Sequence, residues 1–305
     1  MNWHCEDELS ELVSSWSADP RFELILVDNS GALDSDPPGT KVLRPARNLG
    51  FGGAINAALG LTQAPLVLIL NPDAHPTAGA LESLIEGFER FPDAAGLAPK
   101  LVSADGTGQH RWQLRPLPRI STLLLQALLI PAGKGSAEEP IAGTAIQQPA
   151  AAALALRRSA LDEVGGFDET FYPAWFEDVD LARRFRDLGR TILYWPSSTF
   201  EHQLGTTVSR LGYGRFIWIY YQNLSRYIEK HHSGFLAVLA RLLLTLAAIA
   251  RLPLLALRKP RRATSRSAAA FGLAALIVGS LSGWRLPRTF QEELGATNST
   301  ASTAD

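Results

Sequence analysis

The chain has 305 residues, of which 46% are hydrophobic and 19% are charged, and its formal net charge is −1. A chain of this length and composition buries a sizeable core, which excludes an intrinsically disordered protein. Its single cysteine, Cys5, excludes an intramolecular disulfide framework and a cysteine-based zinc site, and favours a reducing compartment such as the cytoplasm.

The first 20 residues carry several acidic side chains and no apolar run, so we expect no secretory signal among them. Two short apolar segments that follow are typical of buried strands, residues 22–28 (FELILVD) and 65–70 (PLVLIL). A helical pattern comes after each, over residues 47–61 and 77–91. This alternation predicts an α/β fold with a mostly parallel sheet, whose ligands bind beyond the carboxyl ends of the strands.

Acidic residues and glycines gather where these strands end. Asp28 and Asp73 each come just after a strand and are candidate ligand contacts, although turns alone favour the same residue types. Gly50, Gly52 and Gly53 do not complete the dinucleotide-binding pattern G-x-G-x-x-G, and no Walker lysine accompanies them. Two interpretations stay open for this cluster, a nucleotide phosphate at the helix start or a closely packed turn.

The middle of the chain has a weaker secondary-structure pattern. Residues 100–148 contain a turn, an apolar stretch and an exposed loop, and we assign no chemistry to them. An apolar run, a short helix and a Gly-Gly break follow, over residues 149–169. Further on, residues 191–196 and 198–202 are predicted to form two short strands, the second of which ends in His202.

In residues 171–185 (FYPAWFEDVDLARRF), four aromatic rings and a proline directly precede the carboxylates of Glu177, Asp178 and Asp180. After these acids, apolar residues recur at the three- to four-residue spacing that lines one buried face of a helix, so the pattern predicts a helix. Acids in the first turn of a helix need no further explanation, because they face its positive end. Beside apolar walls, however, a carboxylate is partly desolvated and gains the proton affinity that a general base needs.

The last third of the chain is basic and apolar, with 13 Lys or Arg and 4 Asp or Glu over residues 205–305. Residues 235–257 are long enough to span a bilayer, but two arginines interrupt them and Pro253 would kink the helix. With the basic stretch 258–266 and a second apolar helix over 267–284, the pattern favours helices at a membrane surface. Packing of both helices on the soluble core is the alternative.

Five motifs in order resemble glycosyltransferase family 2, in particular its rhamnosyltransferase-like bacterial members. They are LVDNS, RNLGFGGAIN, LILNPDA, LRRSALDEVGGFDETFYPAWFEDVDLARRF and FEH, and the similarity runs from residue 2 to about residue 230. The resemblance implies a GT-A-type, Rossmann-like nucleotide-binding domain over residues 1–230. We expect a helical membrane-surface region over 231–290 and a disordered tail over 291–305.

By the same resemblance, the chain is expected to be an inverting glycosyltransferase that takes its sugar from a nucleotide diphosphate, a dTDP- or UDP-sugar. Rhamnose is the candidate sugar, and a cell-surface glycan or a lipid-linked molecule is the candidate acceptor. Asp178 is the implied base, Glu177 orients the acceptor or the base, and Asp180 is either a rival base or a helix cap. The implied donor contacts are Asp28, Asn48, Gly50, Asn56 and Asp73, and the implied acceptor contacts are Trp175 and Phe176.

The leaving diphosphate calls for a divalent cation with oxygen ligands, Mg²⁺ or Mn²⁺. The resemblance implies Asp73 as one ligand, although Asn71-Pro72-Asp73 keeps only the last acid of the family's Asp-x-Asp motif. His202 matches a second ligand found in some relatives, but a lone histidine is equally often structural. The expected site is therefore a metal site with a reduced ligand set.

The start of the chain departs from the family pattern. Members begin with a strand before an aromatic-Asn pattern and a helix, whereas residues 2–16 show the pattern and the helix without that strand. Either the start is placed too late or a central strand is missing. A catalytically inactive sugar-nucleotide or glycan-binding or scaffolding member is therefore the alternative to an enzyme, and a nucleotidyltransferase is a third. We expect a cytoplasmic protein, peripheral on the inner face of the plasma membrane, and no nucleic-acid partner.

Overall fold

The computed structural model describes residues 1–15, 21–203, 211–257, 260, 263 and 265–284. The helices are α1 (Glu6–Ser15), α2 (Gly50–Leu59), α3 (Ala80–Arg90), α4 (His110–Gln113), α5 (Ile120–Ala127), α6 (Arg158–Glu163), α7 (Glu177–Asp187), α8 (Tyr213–His231), α9 (Gly234–Arg251) and α10 (Arg266–Ser282). The strands are β1 (Leu24–Val27), β2 (Thr40–Leu43), β3 (Leu66–Leu70), β4 (Ala74–Pro76), β5 (Gly96–Val102), β6 (Leu114–Arg115), β7 (Ala145–Ile146), β8 (Gln148–Pro149), β9 (Ala153–Arg157) and β10 (Ile192–His202). The predicted α/β fold, a central sheet followed by C-terminal helices, is confirmed.

The central sheet is mixed, whereas the alternation of strands and helices predicted a mostly parallel one. Its order is β3-β9-β5-β10-β4, with β7 beside β10. Only β5 and β10 pair in parallel, and the remaining pairs of this sheet are antiparallel. The chain reaches β9 through a long excursion, residues 103–152, instead of a single crossover helix, so nothing forces β9 to run parallel to its neighbours.

Strands β1 and β2 form a separate parallel pair, and the described residues contain no strand that joins β1 to β3. The structure also merges the two short strands predicted at 191–196 and 198–202 into β10, whose pairing with β5 shifts register between Trp195 and Thr199. Pro196 interrupts the ladder without ending the strand, as at a β-bulge.

Helices α8, α9 and α10 contact one another and share a core that includes Trp218, Tyr227 and Leu276. Phe171 and Phe176, which precede α7, lie in this same core, so the C-terminal helices support the segment that carries the acids. One described helix, α9, is long and apolar enough to cross a bilayer by length and composition, with a mean hydropathy of 1.8 over 18 residues. The predicted tail, residues 291–305, lies outside the described residues.

Candidate active site

The turn before α7 is held by its neighbours in a shape that extended or helical backbone does not adopt. Trp175 and Phe176 have positive φ angles of 69° and 74°. The side-chain amide of Asn223 in α8 donates to the carbonyl oxygens of Ala174 and Trp175, at 2.8 and 3.1 Å. Residues with bulky side chains keep positive φ only where surrounding contacts impose it. Asn223 therefore fixes the position from which α7 and its acids begin.

Glu177 and Asp178 lie side by side at the first turn of α7. Glu177 is buried, its Oε2 atom has no hydrogen-bond partner among the described residues, and burial together with the charge of Asp178 raises its pKa well above the ordinary value. Asp178 is half-buried and accepts hydrogen bonds from the backbone N–H of Val179 at 2.8 Å and from Nε2 of Gln148 at 3.3 Å. Burial also raises the pKa of Asp178, and nearby Arg115 opposes part of that rise. A carboxylate with raised proton affinity is what general-base chemistry requires.

Asp180 has a different environment. Its side chain is fully buried, and it lies 2.7 Å from Nε of Arg184, 2.7 Å from Nζ of Lys230 and 2.7 Å from Nε2 of His231. Although burial alone would raise it, these partners hold the pKa of Asp180 below its ordinary value. A carboxylate stabilised in its ionised form by three partners is a poor base, and here it joins α7 to α8.

Asp73 and His202 meet where β4 pairs with the end of β10, and both are buried. Oδ1 of Asp73 lies 3.7 Å from Nε2 of His202, too far for a hydrogen bond but close enough for both atoms to bind one ion. Nδ1 of His202 lies 2.8 Å from Oε1 of Gln109, and the ring stacks on Trp112 at a centroid distance of 5.3 Å. Burial lowers the pKa of His202, which favours the neutral imidazole that binds metals.

The orientation of the Gln109 side-chain amide determines which ring nitrogen of His202 carries the proton. Nε2 of Gln109 donates to the carbonyl oxygen of His202 at 2.8 Å and to Oγ of Ser103 at 3.0 Å, so its Oε1 must face the ring as an acceptor. The proton of His202 therefore sits on Nδ1, and the lone pair of Nε2 points toward Asp73. This donor set fits a divalent cation. Among the described residues no group of three or more His, Cys, Asp or Glu comes together, so a substrate or water would complete the coordination.

Asp28 is fully buried, and its carboxylate accepts hydrogen bonds from neighbouring groups of the protein. Oδ1 accepts from Nδ2 of Asn2 at 3.0 Å, from Oγ of Ser30 at 2.9 Å and from the N–H of Gly31 at 3.1 Å, while Oδ2 accepts from the N–H of Leu33 at 3.0 Å. Although burial opposes ionisation, these hydrogen bonds lower the pKa of Asp28. The carboxylate thus shapes the turn after β1, and its contact with a donor base stays a prediction.

The glycine cluster forms a closely packed turn at the start of α2. Gly50 has a φ of 73°, and a Cβ atom there would lie 2.8 Å from the carbonyl oxygen of Pro173. The next N–H, that of Phe51, donates to the same oxygen at 2.7 Å, and Oδ1 of Asn48 accepts from the N–H of Gly50 at 2.8 Å. Gly50 therefore brings α2 against the loop that leads to the acids.

Two predicted site residues have structural contacts that account for them. The amide of Asn56 donates to the carbonyl oxygen of Phe167 at 2.9 Å and accepts from the N–H of Phe167 at 2.9 Å. Phe176 is 5% exposed and packs on Tyr220 and Tyr227, so its ring belongs to the core. Trp175 is half-buried, edge-on to a ring of α8. The roles of these residues toward donor and acceptor stay predictions.

Three polar residues that the sequence did not single out lie beside the acids and the histidine: Gln109, Arg115 and Gln148. They come from the stretch 103–152, where α4, β6 and β8 are two to four residues long and give no periodic signal. Residues 109–115 connect the two halves of the site, because Gln109 contacts His202 and Arg115 acts on Asp178. Nε of Arg115 is buried without a hydrogen-bond partner among the described residues.

Comparison with known proteins relates the chain to one family of enzymes. The family model described as glycosyl transferase family 2 matches residues 2–165, more than half of the chain. An N-acetylglucosaminyl-diphospho-decaprenol L-rhamnosyltransferase of Mycobacterium tuberculosis is 28% identical over 234 residues, which cover 68% of this chain and 74% of that protein. A pre-mycofactocin glycosyltransferase of the same organism is 32% identical over 189 residues, covering 59% of this chain and 37% of that protein.

Among solved structures, a mannosyltransferase from Pyrobaculum calidifontis in complex with GDP-Man and Mn²⁺ is 16% identical, covers 92% of this chain and 85% of its own, and superposes with a TM-score of 0.49. The match to the family model extends over residues 2–165. The chain belongs to glycosyl transferase family 2.

Proposed function

We propose that the chain is an inverting glycosyltransferase that uses a nucleotide-sugar donor. The observation that carries this proposal is the contrast between two acids on one helix. Asp178 is half-buried and its pKa is raised. Asp180 is fully buried, and contacts with Arg184, Lys230 and His231 stabilise its ionised carboxylate. Only Asp178 is suited to accept a proton.

In the proposed reaction, an acceptor hydroxyl oxygen attacks the anomeric carbon of the donor sugar from the face opposite the diphosphate. The oxygen–carbon bond forms as the bond from that carbon to the diphosphate oxygen breaks, and Asp178 takes the hydroxyl proton. Gln148 donates a hydrogen bond to Asp178, and Glu177, whose pKa is raised by burial and by the charge of Asp178, orients the acceptor or the base.

Asp73 and the Nε2 atom of His202 are the residues that would hold Mg²⁺ or Mn²⁺. A bound divalent cation would neutralise the negative charge that develops on the leaving diphosphate. Gln109 orients His202 for this role, because it leaves Nε2 without a proton.

We propose rhamnose as the sugar and a lipid-linked diphosphate sugar as the acceptor. The support is the similarity to a rhamnosyltransferase whose name gives N-acetylglucosaminyl-diphospho-decaprenol as its acceptor, which covers 68% of this chain. The donor would then be dTDP-rhamnose, with UDP-sugars as the competing class.

A thermal-shift titration tests the donor assignment. Purified protein is heated with dTDP-rhamnose, UDP-glucose and UDP-N-acetylglucosamine in turn, with and without Mn²⁺. A ligand that binds the native state raises the unfolding midpoint, so we expect a rise with dTDP-rhamnose that requires the metal. No rise with any of these donors would contradict the proposal and favour the alternative of a scaffolding member.

We further propose that the protein works at the inner face of the plasma membrane, held by α9 and α10. Apolar side chains on α9 that are about half exposed or more recur at helical spacing: Phe235, Val238, Leu242, Leu246 and Ile249. Leu254 and Leu257 continue this surface, and Phe271, Val278 and Leu281 add exposed apolar side chains on α10. The linking residues carry four basic side chains between positions 258 and 262, the charge that anionic lipid attracts.

Flotation with lipid vesicles tests this second proposal. We expect the protein to float with vesicles that contain phosphatidylglycerol and less with neutral ones, and high salt to weaken the contact. The double variant Leu242→Ser/Leu246→Ser should lose flotation, whereas Leu61→Ser, at another exposed leucine, should keep it. Equal flotation of both variants would contradict a membrane contact through α9.

A further inference from the structure

Arg115 is a half-buried arginine whose side chain has no partner among the described residues. Its Nε atom is buried without a hydrogen bond, and the guanidinium forms no ion pair within 4.0 Å there. Arg157, which is also half-buried, instead donates to the carbonyl oxygens of Phe88 at 2.8 Å and Ala94 at 3.0 Å. Because an unpaired buried nitrogen costs free energy, we expect Arg115 to have a partner that the described residues do not supply.

The strand pairing directs this arginine toward the proposed base. Arg115 of β6 lies directly opposite Gln148 of β8, and side chains that oppose each other across an antiparallel pair share one face. The Gln148 side chain on that face donates to Oδ2 of Asp178 at 3.3 Å. The positive charge of Arg115 also acts on Asp178, although the two side chains form no direct ion pair. The guanidinium is therefore a neighbour of the base that stays available to a ligand.

The terminal nitrogens of Arg115 are suited to an anion. Only Nε is a buried atom of this guanidinium, so the two terminal nitrogens are open to solvent, and they donate to no described residue. Two parallel N–H groups on a planar cation match two oxygens of one phosphate group. A neutral hydroxyl would not balance the positive charge. The expected partner of Arg115 is therefore a phosphate oxygen pair.

The geometry of the proposed reaction distinguishes the two substrates that carry phosphate. The acceptor hydroxyl attacks from the face of the donor sugar opposite the leaving diphosphate, and Asp178 takes the proton of that hydroxyl. The donor diphosphate thus leaves on the side away from Asp178, where Asp73 and His202 are the proposed metal ligands. An anion beside Asp178 belongs to the acceptor.

The elements next to Arg115 lead to the surface proposed to contact lipid. Helix α5 follows β6 in the chain and packs on α9. A terminal nitrogen of Arg251 in α9 donates to the carbonyl oxygen of Leu129, just after α5, at 3.3 Å. Leu125 and Ile130 add side chains that are 42% and 43% exposed. The base, Arg115 and this apolar surface thus follow one another in the same order as the sugar, phosphate and lipid of a lipid-linked acceptor.

We propose that Arg115 binds the phosphate attached to the acceptor sugar, and that it selects acceptors carried on a phosphate or diphosphate over neutral glycosides. This inference rests on the proposed function and adds an acceptor-binding residue to it. The phosphate would accept hydrogen bonds from both terminal nitrogens of Arg115. Anchored there, the acceptor sugar would hold its hydroxyl beside Asp178.

A binding experiment tests this without any reaction. N-acetylglucosamine 1-phosphate and the neutral methyl N-acetylglucosaminide are titrated into the parent, Arg115→Met and Arg90→Met, and binding is followed by ligand-observed NMR. We expect the parent to bind the phosphate at least about 10-fold more tightly than the neutral sugar, and Arg115→Met to lose this preference. Arg90→Met removes an exposed arginine at the end of α3 and should keep it. No preference in the parent, or an equal preference in the two variants, would overturn the proposal.

Thermal unfolding separates a ligand contact from a structural one and from a donor contact. Arg115→Met removes an unpaired buried nitrogen, so its unfolding midpoint should not fall; a fall would overturn the proposal, because the arginine would then have a structural partner. Dtdp-rhamnose with Mn²⁺ should raise the midpoint equally in the parent and in Arg115→Met. Loss of that rise in the variant would overturn the proposal in favour of the donor diphosphate. A parent that prefers the phosphate but responds to no donor would contradict the proposed function while supporting Arg115 as the phosphate contact.

Kinetics with a polyprenyl-diphosphate-linked acceptor separate binding by Arg115 from an effect through Asp178. At a pH above which kcat no longer changes, Arg115→Met should raise the KM for this acceptor by about 10-fold or more and leave kcat unchanged. Arg115→Lys keeps the charge without the planar pair of donors and should have an intermediate KM. An altered pH dependence of kcat with an unchanged KM would overturn the proposal, because Arg115 would then act only on the base.

Discussion

Gln109 contacts His202 through an Oε1–Nδ1 distance of 2.8 Å, and this contact determines which nitrogen of the imidazole faces Asp73. The amide group of Gln109 cannot turn over, because its Nε2 donates to the carbonyl oxygen of His202 itself. The side chain and the backbone of one residue thus fix the same glutamine, which in turn fixes the tautomer of the ring.

Replacing Gln109 should weaken metal binding. In Gln109→Leu the imidazole is free to carry its proton on Nε2, so we expect the affinity for Mn²⁺ to fall by about 10-fold or more. Titration calorimetry with Mn²⁺ measures this without any reaction. Gln126→Leu, a glutamine that binds the backbone of Ala132 in another part of the fold, is the matched control. Equal affinity in the two variants would show that Gln109 does not position a ligand.

Asp178 and Asp180 should respond differently to the loss of their charge. Asp178→Asn removes the proposed base and should lower the turnover rate by about 100-fold or more, without lowering the unfolding midpoint. Asp180→Asn should destabilise the fold by about 2 kcal/mol, less than for a fully buried pair because the Lys230 side chain is 35% exposed. Urea denaturation and initial rates measure both effects. Full turnover in Asp178→Asn would contradict its assignment as base.

Glu177 should make the stability of the protein depend on pH. The pKa of Glu177 is higher in the folded state than in the unfolded state. The free energy of unfolding is therefore highest below the unfolded-state pKa of about 4.3, and it falls as the pH rises toward the folded-state pKa. Glu177→Gln, which stays neutral, should therefore unfold at a higher temperature than the parent at pH 8 and at the same temperature at pH 4. Glu229→Gln, at an exposed site, should leave the profile unchanged. A profile of Glu177→Gln that runs parallel to that of the parent from pH 4 to pH 8 would contradict this account of Glu177.

Gly50→Ala should cost more stability than Gly79→Ala, although both glycines have φ near 75°. At Gly79 a Cβ meets no atom within 4 Å, so only the backbone strain of about 1 kcal/mol applies. At Gly50 the Cβ would lie 2.8 Å from the carbonyl oxygen of Pro173 and 2.9 Å from Cδ2 of Tyr172, and we expect a loss of about 3 kcal/mol. Urea denaturation compares the two variants. An equal loss of unfolding free energy in the two variants would contradict this expectation, because it would mean that the loop at Pro173 moves to make room for the Cβ atom.

The elements with clear periodicity were predictable, because their signal lies within one stretch of chain. β1, β3, α2 and α3 form within the segments that the hydrophobic pattern indicated, and α7 begins inside residues 171–185 and continues to Asp187. The antiparallel direction of β9 was not predictable, since strand direction depends on the path of the preceding 50 residues. The sequence also did not predict that Gln109, Arg115 and Gln148 lie at the site. They belong to or adjoin elements of two to four residues, which are too short to show a hydrophobic period.

Within the acidic motif, the sequence separated the three carboxylates only by resemblance. The distinction between Asp178 and Asp180 depends on Lys230 and His231, which lie about 50 residues further along the chain. Such partners are set by the packing of α8 on α7. The structure therefore shows different electrostatic surroundings for two residues that the sequence pattern could not distinguish.

The transfer reaction itself tests the central claim most directly. Purified protein is incubated with dTDP-rhamnose, Mg²⁺ and a polyprenyl-diphosphate-linked N-acetylglucosamine, and the anomeric configuration of the product is read by NMR. The account predicts a rhamnosylated lipid product with the configuration inverted from the donor, and its loss in Asp178→Asn. A product with retained configuration, or transfer at the same rate by Asp178→Asn, would contradict it.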